Sequence, residues 1–257
     1  MPSSKKLKTV VITGGTTGIG LETAKYLLAE GSYRLVLIGR EQGQLDQALR
    51  NLEASSDLVS GFTCDLRQPL QIQKTVEKIS ATHKSIYGLV NNAGVYPFGG
   101  LHNTTMAVWD EALDVNLRAA FLLSQQLVPI MAKNPDGGRI VNVSSTAGML
   151  PNHFALAYSV SKAALIQFTK TIAKEVGKDG ITVNCVCPGI VRSPLHDAYH
   201  QSQSELEEFY ARRGATFPLG RVGEPSDIAG TIRFFLGEDA KWITGDICVI
   251  DGGRLLL

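Results

Sequence analysis

The β-branched run Val10-Val11-Ile12 leads directly into Thr13-Gly14-Gly15-Thr16-Thr17-Gly18-Ile19-Gly20. That turn opens onto Leu21-Glu22-Thr23-Ala24-Lys25-Tyr26-Leu27-Leu28, whose apolar residues recur at helical spacing. Strand, glycine turn and helix in this order aim backbone N–H groups and a helix N-terminus at one point, an arrangement suited to a pyrophosphate. Glycine is required where the chain turns sharply and where a phosphate must approach the backbone closely. The spacing is G-x-x-x-G-x-G, not G-x-G-x-x-G. A glycine turn alone also serves ordinary loops; its place between strand and helix favours a dinucleotide site.

The same alternation continues along the chain. Short β-rich runs at 9–13, 34–38, 59–63, 86–91, 139–144, 181–186 and 247–250 read as strands. Amphipathic stretches at 18–29, 72–81, 117–131, 157–176 and 225–236 read as helices between them. This pattern predicts an α/β fold, a Rossmann-type doubly wound parallel sheet of about seven strands with helices on both faces. No repeat or linker divides residues 1–257, so one dinucleotide-binding and catalytic domain is expected, at a length where α/β folds often form a single core. The segment 193–218 breaks the rhythm and carries Tyr199, His200, Phe209, Tyr210, Arg212 and Arg213. An insertion at the carboxyl end of a parallel strand is where a substrate cover is expected; a surface helix with incidental aromatics is the alternative.

Charge and cysteine content exclude more than they assign. Lys and Arg number 25 against 24 Asp and Glu, a balance that argues against nucleic acid or an anionic membrane as partner. No apolar run approaches the roughly 20 residues of a membrane span, and residues 1–8 lack the apolar stretch of a secretory signal, so a cytoplasmic protein is expected. Cys64, Cys185, Cys187 and Cys248 show no C-x-x-C spacing and read as reduced thiols. His196 and His200 stand four apart in a polar segment without the glutamate of a zinc motif, so no metal site is expected.

Tyr158 and Lys162 are also four apart, which on a helix puts a phenol and an ammonium on one face. A free tyrosine titrates at roughly 10, and a neighbouring cation favours the phenolate and brings it toward working pH. Ser145, upstream, supplies a hydroxyl able to hold a substrate oxygen. On spacing alone the pair reads as a solvated helix face, and only the rest of the chain overturns that reading.

Taken together these motifs resemble the short-chain dehydrogenase/reductase family nearly end to end. Thr13 to Gly20 is similar to its T-G-x-x-x-G-x-G, and Asn91-Asn92-Ala93-Gly94 to its N-N-A-G. Asn116 matches its catalytic asparagine, and the family's spacing to tyrosine selects Ser145 over Ser144. Tyr158 with Lys162 is its Y-x-x-x-K, Pro188-Gly189 its proline-glycine turn, and Ile243-Thr244-Gly245 with Asp251-Gly252-Gly253 its C-terminal signature. The resemblance implies hydride transfer between a nicotinamide and a carbonyl or alcohol carbon. In it Tyr158 donates the proton, Ser145 orients the oxygen, Lys162 lowers the tyrosine pKa and reaches the ribose, and Asn116 anchors a water leading to bulk. It further implies cofactor contacts from Gly14, Thr16, Thr17, Gly18, Ile19, Gly20, Arg40, Asp65, Leu66, Asn92, Ala93, Gly94, Pro188, Gly189, Val191 and Ser193. Asp65 would meet the adenine, and Ser193 stands where relatives commonly place threonine beside the nicotinamide amide.

Cofactor choice rests on Gly39-Arg40. NAD-preferring members usually carry Asp at the position of Gly39, whereas a guanidinium binds a 2′-phosphate through paired, charge-assisted hydrogen bonds, which favours NADP(H). Thr17 departs from the second basic residue of many NADP-binding relatives. The run Pro218-Leu219-Gly220-Arg221-Val222-Gly223-Glu224-Pro225 is most similar to the 3-oxoacyl-carrier-protein reductase branch, although sugar, steroid and small-ketone dehydrogenases share it. The expected substrate is a small carbonyl or alcohol, with a carrier protein admissible if Lys133 and Lys178 flank the entrance. An NAD-dependent alcohol, sugar or steroid dehydrogenase and a non-enzymatic NADP-binding regulator are the other readings. Relatives pair helices like those at 117–131 and 157–176 between subunits, which implies a homotetramer.

Overall fold

In chain order the secondary structure runs β1 (Lys8–Thr13), α1 (Gly18–Glu30), β2 (Tyr33–Gly39), α2 (Gln42–Asn51), β3 (Val59–Thr63), α3 (Pro69–Thr82), β4 (Gly88–Asn91) and α4 (Met106–Leu113). It continues with α5 (Ala119–Met131), β5 (Gly138–Val143), α6 (Leu156–Val176), β6 (Ile181–Pro188), α7 (Pro194–Asp197), α8 (Gln203–Gly214), α9 (Pro225–Leu236) and β7 (Ile247–Ile250). This computed structural model describes residues 7–197 and 202–256. Tyr199 and His200, and with them the His196–His200 spacing, lie outside the described residues.

The strands form one parallel sheet in the order β3-β2-β1-β4-β5-β6-β7. Every strand therefore points its carboxyl end to the same edge, and the order reverses between β1 and β4, where a doubly wound sheet opens a crevice. The expected fold class is what the chain adopts. Strand residues alternate between two cores, as the period of a pleated strand requires. Val10, Ile12, Leu35 and Leu37 pack with Ala24, Leu27, Ile228, Ile232 and Phe235 from α1 and α9. Val11, Val36, Ile38 and Leu89 pack with Ile72, Ile79, Leu123 and Leu127 from α3 and α5. Burial of both faces explains why these strands read as continuous apolar runs.

Helix ends follow local chemistry. α1 stops at Gly31, in the left-handed conformation at φ 69°. α9 starts with Pro225 in its first turn and a reciprocal cap between Glu224 and Asp227. α4 and α5 are joined through a π-helical turn, Asp114–Arg118, a local overwidening often found at functional positions. α2, α4, α7 and α8 are absent from the helices expected above. α2 carries Leu45, Ala48, Leu49 and Leu52 at i, i+3, i+4 and i+7, the first two buried and the other two packed on the core, whereas α4 buries only Ala112.

Lys133 and Lys178 precede β5 and β6, at the amino edge of the sheet opposite the crevice. They cannot flank its entrance, and the carrier-protein expectation loses the residues on which it stood.

Candidate active site

The glycine turn is built by close backbone packing. Gly14 and Gly18 adopt φ of 60° and 51°, and a Cβ on Gly20 would lie 2.2 Å from the Gly14 carbonyl oxygen. Asn92 fixes the turn from β4: its Nδ2 donates to the carbonyls of Thr13 at 3.0 Å and Gly14 at 3.1 Å. The Thr13 hydroxyl accepts from the backbone N–H groups of Asn92 and Ala93, both at 3.0 Å. Thr17 leaves the N-terminus of α1 without a side-chain cap, so its first N–H groups face the crevice unsatisfied.

On the other wall, Ser144 and Ser145 separate. The Ser144 hydroxyl donates to the Lys162 carbonyl at 2.8 Å and ties β5 to α6, while Ser145 Oγ accepts from Ala147 N at 3.1 Å. α6 carries Tyr158 and Lys162, both buried, with Lys162 Nζ 5.7 Å from the tyrosine ring centroid and donating to the Val143 carbonyl at 2.9 Å. Tyr96 meets the Tyr158 ring edge-on at 4.6 Å between centroids. Asn116 stands on the π-helical turn with its amide fully engaged: Oδ1 accepts from Val95 N at 2.8 Å, and Nδ2 donates to Val95 O at 3.0 Å and Ser161 Oγ at 2.9 Å.

The electrostatics differ from those expected from spacing. Burial pushes the Tyr158 phenol up to about 12, and the Ser145 hydrogen bond opposes this only in part. Burial also brings the Lys162 ammonium down to about 8, against the opposing influence of the thiols of Cys185 and Cys187. Lys162 does not depress the tyrosine here, because desolvation disfavours the charged form of both groups. The spacing correctly placed the two on one face but says nothing of how deeply that face is buried.

These walls enclose a cavity of about 700 Å³ at the carboxyl edge of the sheet. Gly14, Thr17, Gly18, Ile19, Arg40, Asn92, Ala93, Gly94, Ser145, Tyr158, Lys162, Pro188, Gly189, Val191 and Ser193 all line it. Thr16, Gly20, Asp65, Leu66 and Asn116 do not. Thr16 and Gly20 shape the turn from behind; a Cβ on Gly39 would meet Thr16 Cγ2 at 2.6 Å. Leu66 belongs to the core. Asp65 is gripped by Arg67, whose Nη2 reaches Oδ2 at 2.7 Å, and this pairing holds its carboxyl below the usual carboxylate range. Asp65 and Leu66 are thus not brought to the cavity.

Aromatic and basic wall residues had no sequence assignment: Tyr96, Phe98, His153, Phe154 and Arg254. A signal existed for some of them, since Tyr96 and Phe98 follow the Asn-Asn-Ala-Gly motif and His153 and Phe154 precede Tyr158. The segments are joined by Gly99 N donating to Phe154 O and Leu156 N donating to Gly99 O, both at 2.9 Å. Among the described residues lining the cavity none is acidic, whereas Arg40, Lys162, Arg213 and Arg254 are basic. No cluster of described His, Cys, Asp and Glu residues is arranged to hold a metal, and no described helix is long and apolar enough to cross a membrane.

A parallel sheet with a glycine turn at its switch point and a buried Ser-Tyr-Lys group at the same edge defines a class of oxidoreductases. The family model of short chain dehydrogenase matches residues 8–204, and the chain belongs to that family, whose members use a nicotinamide cofactor. It is 34% identical over 253 residues to 2-(S)-hydroxypropyl-CoM dehydrogenase 3 of Xanthobacter autotrophicus, covering 98% of each chain. It is 35% identical over 247 residues to the human dehydrogenase/reductase SDR family member 4, covering 96% of this chain and 87% of the relative. Among solved structures, ligand-free aldohexose dehydrogenase of Thermoplasma acidophilum superposes with a TM-score of 0.87 at 28% identity, covering 99% of this chain and 96% of that one. A variant of actinorhodin polyketide ketoreductase with NADPH gives a TM-score of 0.87 at 31% identity, covering 98% of both chains.

Proposed function

We propose that this protein is an NADP(H)-dependent carbonyl reductase or secondary-alcohol dehydrogenase. The observation that carries the cofactor choice is the end of β2, where Arg40 lines the cavity, Thr16 packs over Gly39, and no acidic side chain stands in the described wall. The residues present fit a dinucleotide: the uncapped N-terminus of α1 offers N–H donors for a pyrophosphate, and Arg40 offers a guanidinium for a 2′-phosphate. The relative solved with NADPH supports the same reading.

When bound, the nicotinamide supplies or accepts the hydride. Tyr158 donates a proton to the substrate oxygen in the reductive direction, and Ser145 hydrogen-bonds the same oxygen to orient it. Lys162 places positive charge beneath the phenol and has donors beyond the one given to Val143 for a ribose hydroxyl. Asn116 holds Val95 and Ser161 with its amide, so any water it anchors is bound by its main chain. The segment 193–218 serves as the substrate cover. Arg192 supports this role by pinning α8 through Glu207 at 2.7 Å and the Tyr210 ring at 4.6 Å, and Phe209 lines the cavity.

Residues 1–257 act as one catalytic domain, and the assembly is a homotetramer. The exposed Phe121 on α5, edge-on to Phe168 on α6, supports subunit pairing through these helices. Light scattering at micromolar concentration should give a tetramer mass; a monomer refutes the assembly. The function is tested by NADPH oxidation across a panel of ketones and 3-oxoacyl thioesters. Absence of turnover with every member, in a folded protein that binds NADPH, would refute it.

A further inference from the structure

We infer that the substrate carries a negatively charged group, a carboxylate, sulfonate or phosphate, held at the Ser145 end of the cavity by Arg254 and Arg213. The inference deepens the carbonyl-reductase reading and rests on it.

Arg254 reaches the cavity from the 3₁₀ turn after β7, and its Nη1 donates to Thr146 Oγ1 at 3.2 Å. Thr146 is fully buried and follows Ser145 directly, so the guanidinium is fixed beside the hydroxyl assigned to the reacting oxygen. Arg213 comes from the last turn of α8, with its guanidinium 5.8 Å from the Phe209 ring centroid. A helix C-terminus favours basic side chains, which accounts for the presence of Arg212 and Arg213 there but not for Arg213 standing in the cavity wall.

Partial burial disfavours the charge on Arg254, and Arg213 lies close enough to add to that effect. Neither forms an ion pair among the described residues. Asp251, the acid whose charge acts on Arg254, has its oxygens taken by backbone N–H groups, Gly253 N on Oδ1 at 2.9 Å and Leu255 N on Oδ2 at 2.8 Å. A half-buried Arg254 with the exposed Arg213 beside it, and no acid in the described wall, costs free energy that a bound anion offsets. Arg40 lies at the end of β2 on the other side of the switch point and serves the adenosine half, whereas Arg254 also acts on the Tyr158 phenol, which places it at the reacting end.

The test measures kcat/KM with NADPH for keto carboxylates, keto sulfonates and keto phosphates of increasing chain length, each against an uncharged ketone of the same length. The anionic member of the best pair should be favoured by about tenfold or more, as paired charge-assisted hydrogen bonds require. Comparing the three head groups identifies which anion the site takes. In Arg254→Gln and Arg213→Gln the ratio of anionic to neutral kcat/KM should fall toward one, chiefly through KM for the anion. The glutamine at 254 retains a donor for Thr146. A wild-type ratio of one or below, or a parallel loss for both substrates that leaves the ratio unchanged, overturns the inference. So does a change confined to the KM of NADPH, which would assign the arginines to the cofactor. Calorimetric binding of the same keto acids to wild type and Arg254→Gln gives an activity-independent readout. Equal binding refutes the anion site, and binding without turnover of any ketone refutes only the reductase reading.

Discussion

Arg40→Leu probes cofactor choice at the residue proposed to meet the 2′-phosphate that distinguishes the two nicotinamide cofactors. Losing a hydrogen bond to a charged group costs about 1.5–3 kcal/mol. Arg40 belongs at the low end of that range, because its side chain is 60% exposed and its Nε already donates to Glu41 at 3.1 Å. A loss of about 1.5 kcal/mol corresponds to roughly a tenfold rise in the KM for NADPH, while the KM for NADH, which has no 2′-phosphate, should stay within about twofold. Neither Lys8 nor Arg34 can take over. Lys8 and Arg34 sit near the amino ends of β1 and β2, roughly 20 Å from Arg40 along the strand, and are engaged by Glu238 and the Asp57 carbonyl. Adding Gly39→Asp to Arg40→Leu should not by itself reverse the preference. The new Cβ would lie 2.6 Å from Thr16 Cγ2, an overpacking worth about 1–3 kcal/mol of stability. Thr16→Ala removes that methyl, so the triple variant should fold like wild type and prefer NADH. Steady-state kcat/KM for both cofactors, with thermal melts as the control, decides the matter. A wild type that prefers NADH, or an Arg40→Leu variant in which both KM values rise equally, would refute the argument.

Tyr158→Phe removes only the transferable proton and should lower kcat by a factor on the order of 10² or more while NADPH binding, followed by fluorescence, is preserved; retained turnover would place the proton donor elsewhere. Lys162→Met should raise the melting temperature at pH 7, because the native state holds the ammonium at about 8 against an ordinary 10.5 and is therefore penalised wherever the side chain is charged. The unfolded chain binds more protons than the native one between those values, so wild-type stability gains on the variant as pH rises through that window; a constant gap from pH 7 to 10.5 would contradict the burial argument. Gly20→Ala should abolish NADPH binding and lower the melting temperature, since its Cβ meets the Gly14 carbonyl at 2.2 Å and the Asn92 amide at 2.6 Å.

The central strands were legible because they are buried on both faces and read as short apolar runs, and the less buried edge strands 59–63 and 247–250 and the helix at 225–236 coincide with observed elements to the residue. α4 was not, since a short helix that buries only Ala112 leaves no 3.6-residue stripe to read, whereas α2 carries such a stripe in Leu45, Ala48, Leu49 and Leu52 and could have been read. Among the residues assigned to the cofactor, Gly14, Thr17, Gly18 and Ile19 of the glycine turn and those at the strand ends reach the cavity because local order positions them. Asp65 does not, since Arg67, two residues on, captures its carboxylate. Arg254 was invisible for a different reason. It meets Thr146, 108 positions away, only because β5 and β7 deliver both residues to one edge of the sheet, and no spacing rule encodes that meeting.

The least legible property is the protonation state of Tyr158 and Lys162. Spacing predicts an ammonium beside a phenol and hence an acidified tyrosine, yet in the folded chain both groups are drawn toward neutrality, Tyr158 near 12 and Lys162 near 8. Two charges of opposite sign stabilise each other in a low-dielectric site only if their attraction exceeds what each loses in leaving water. With the Nζ 5.7 Å from the ring centroid and its hydrogen bond directed at Val143, the attraction falls short here. A phosphate or carboxylate admitted to the cavity would extend the charged form of Lys162 above pH 8, while its own negative charge would oppose ionisation of Tyr158. On the proposed mechanism the protonation state of the pair is then coupled to filling of the site, and a wall that combines four basic residues with no described acid is suited to draw in such anions.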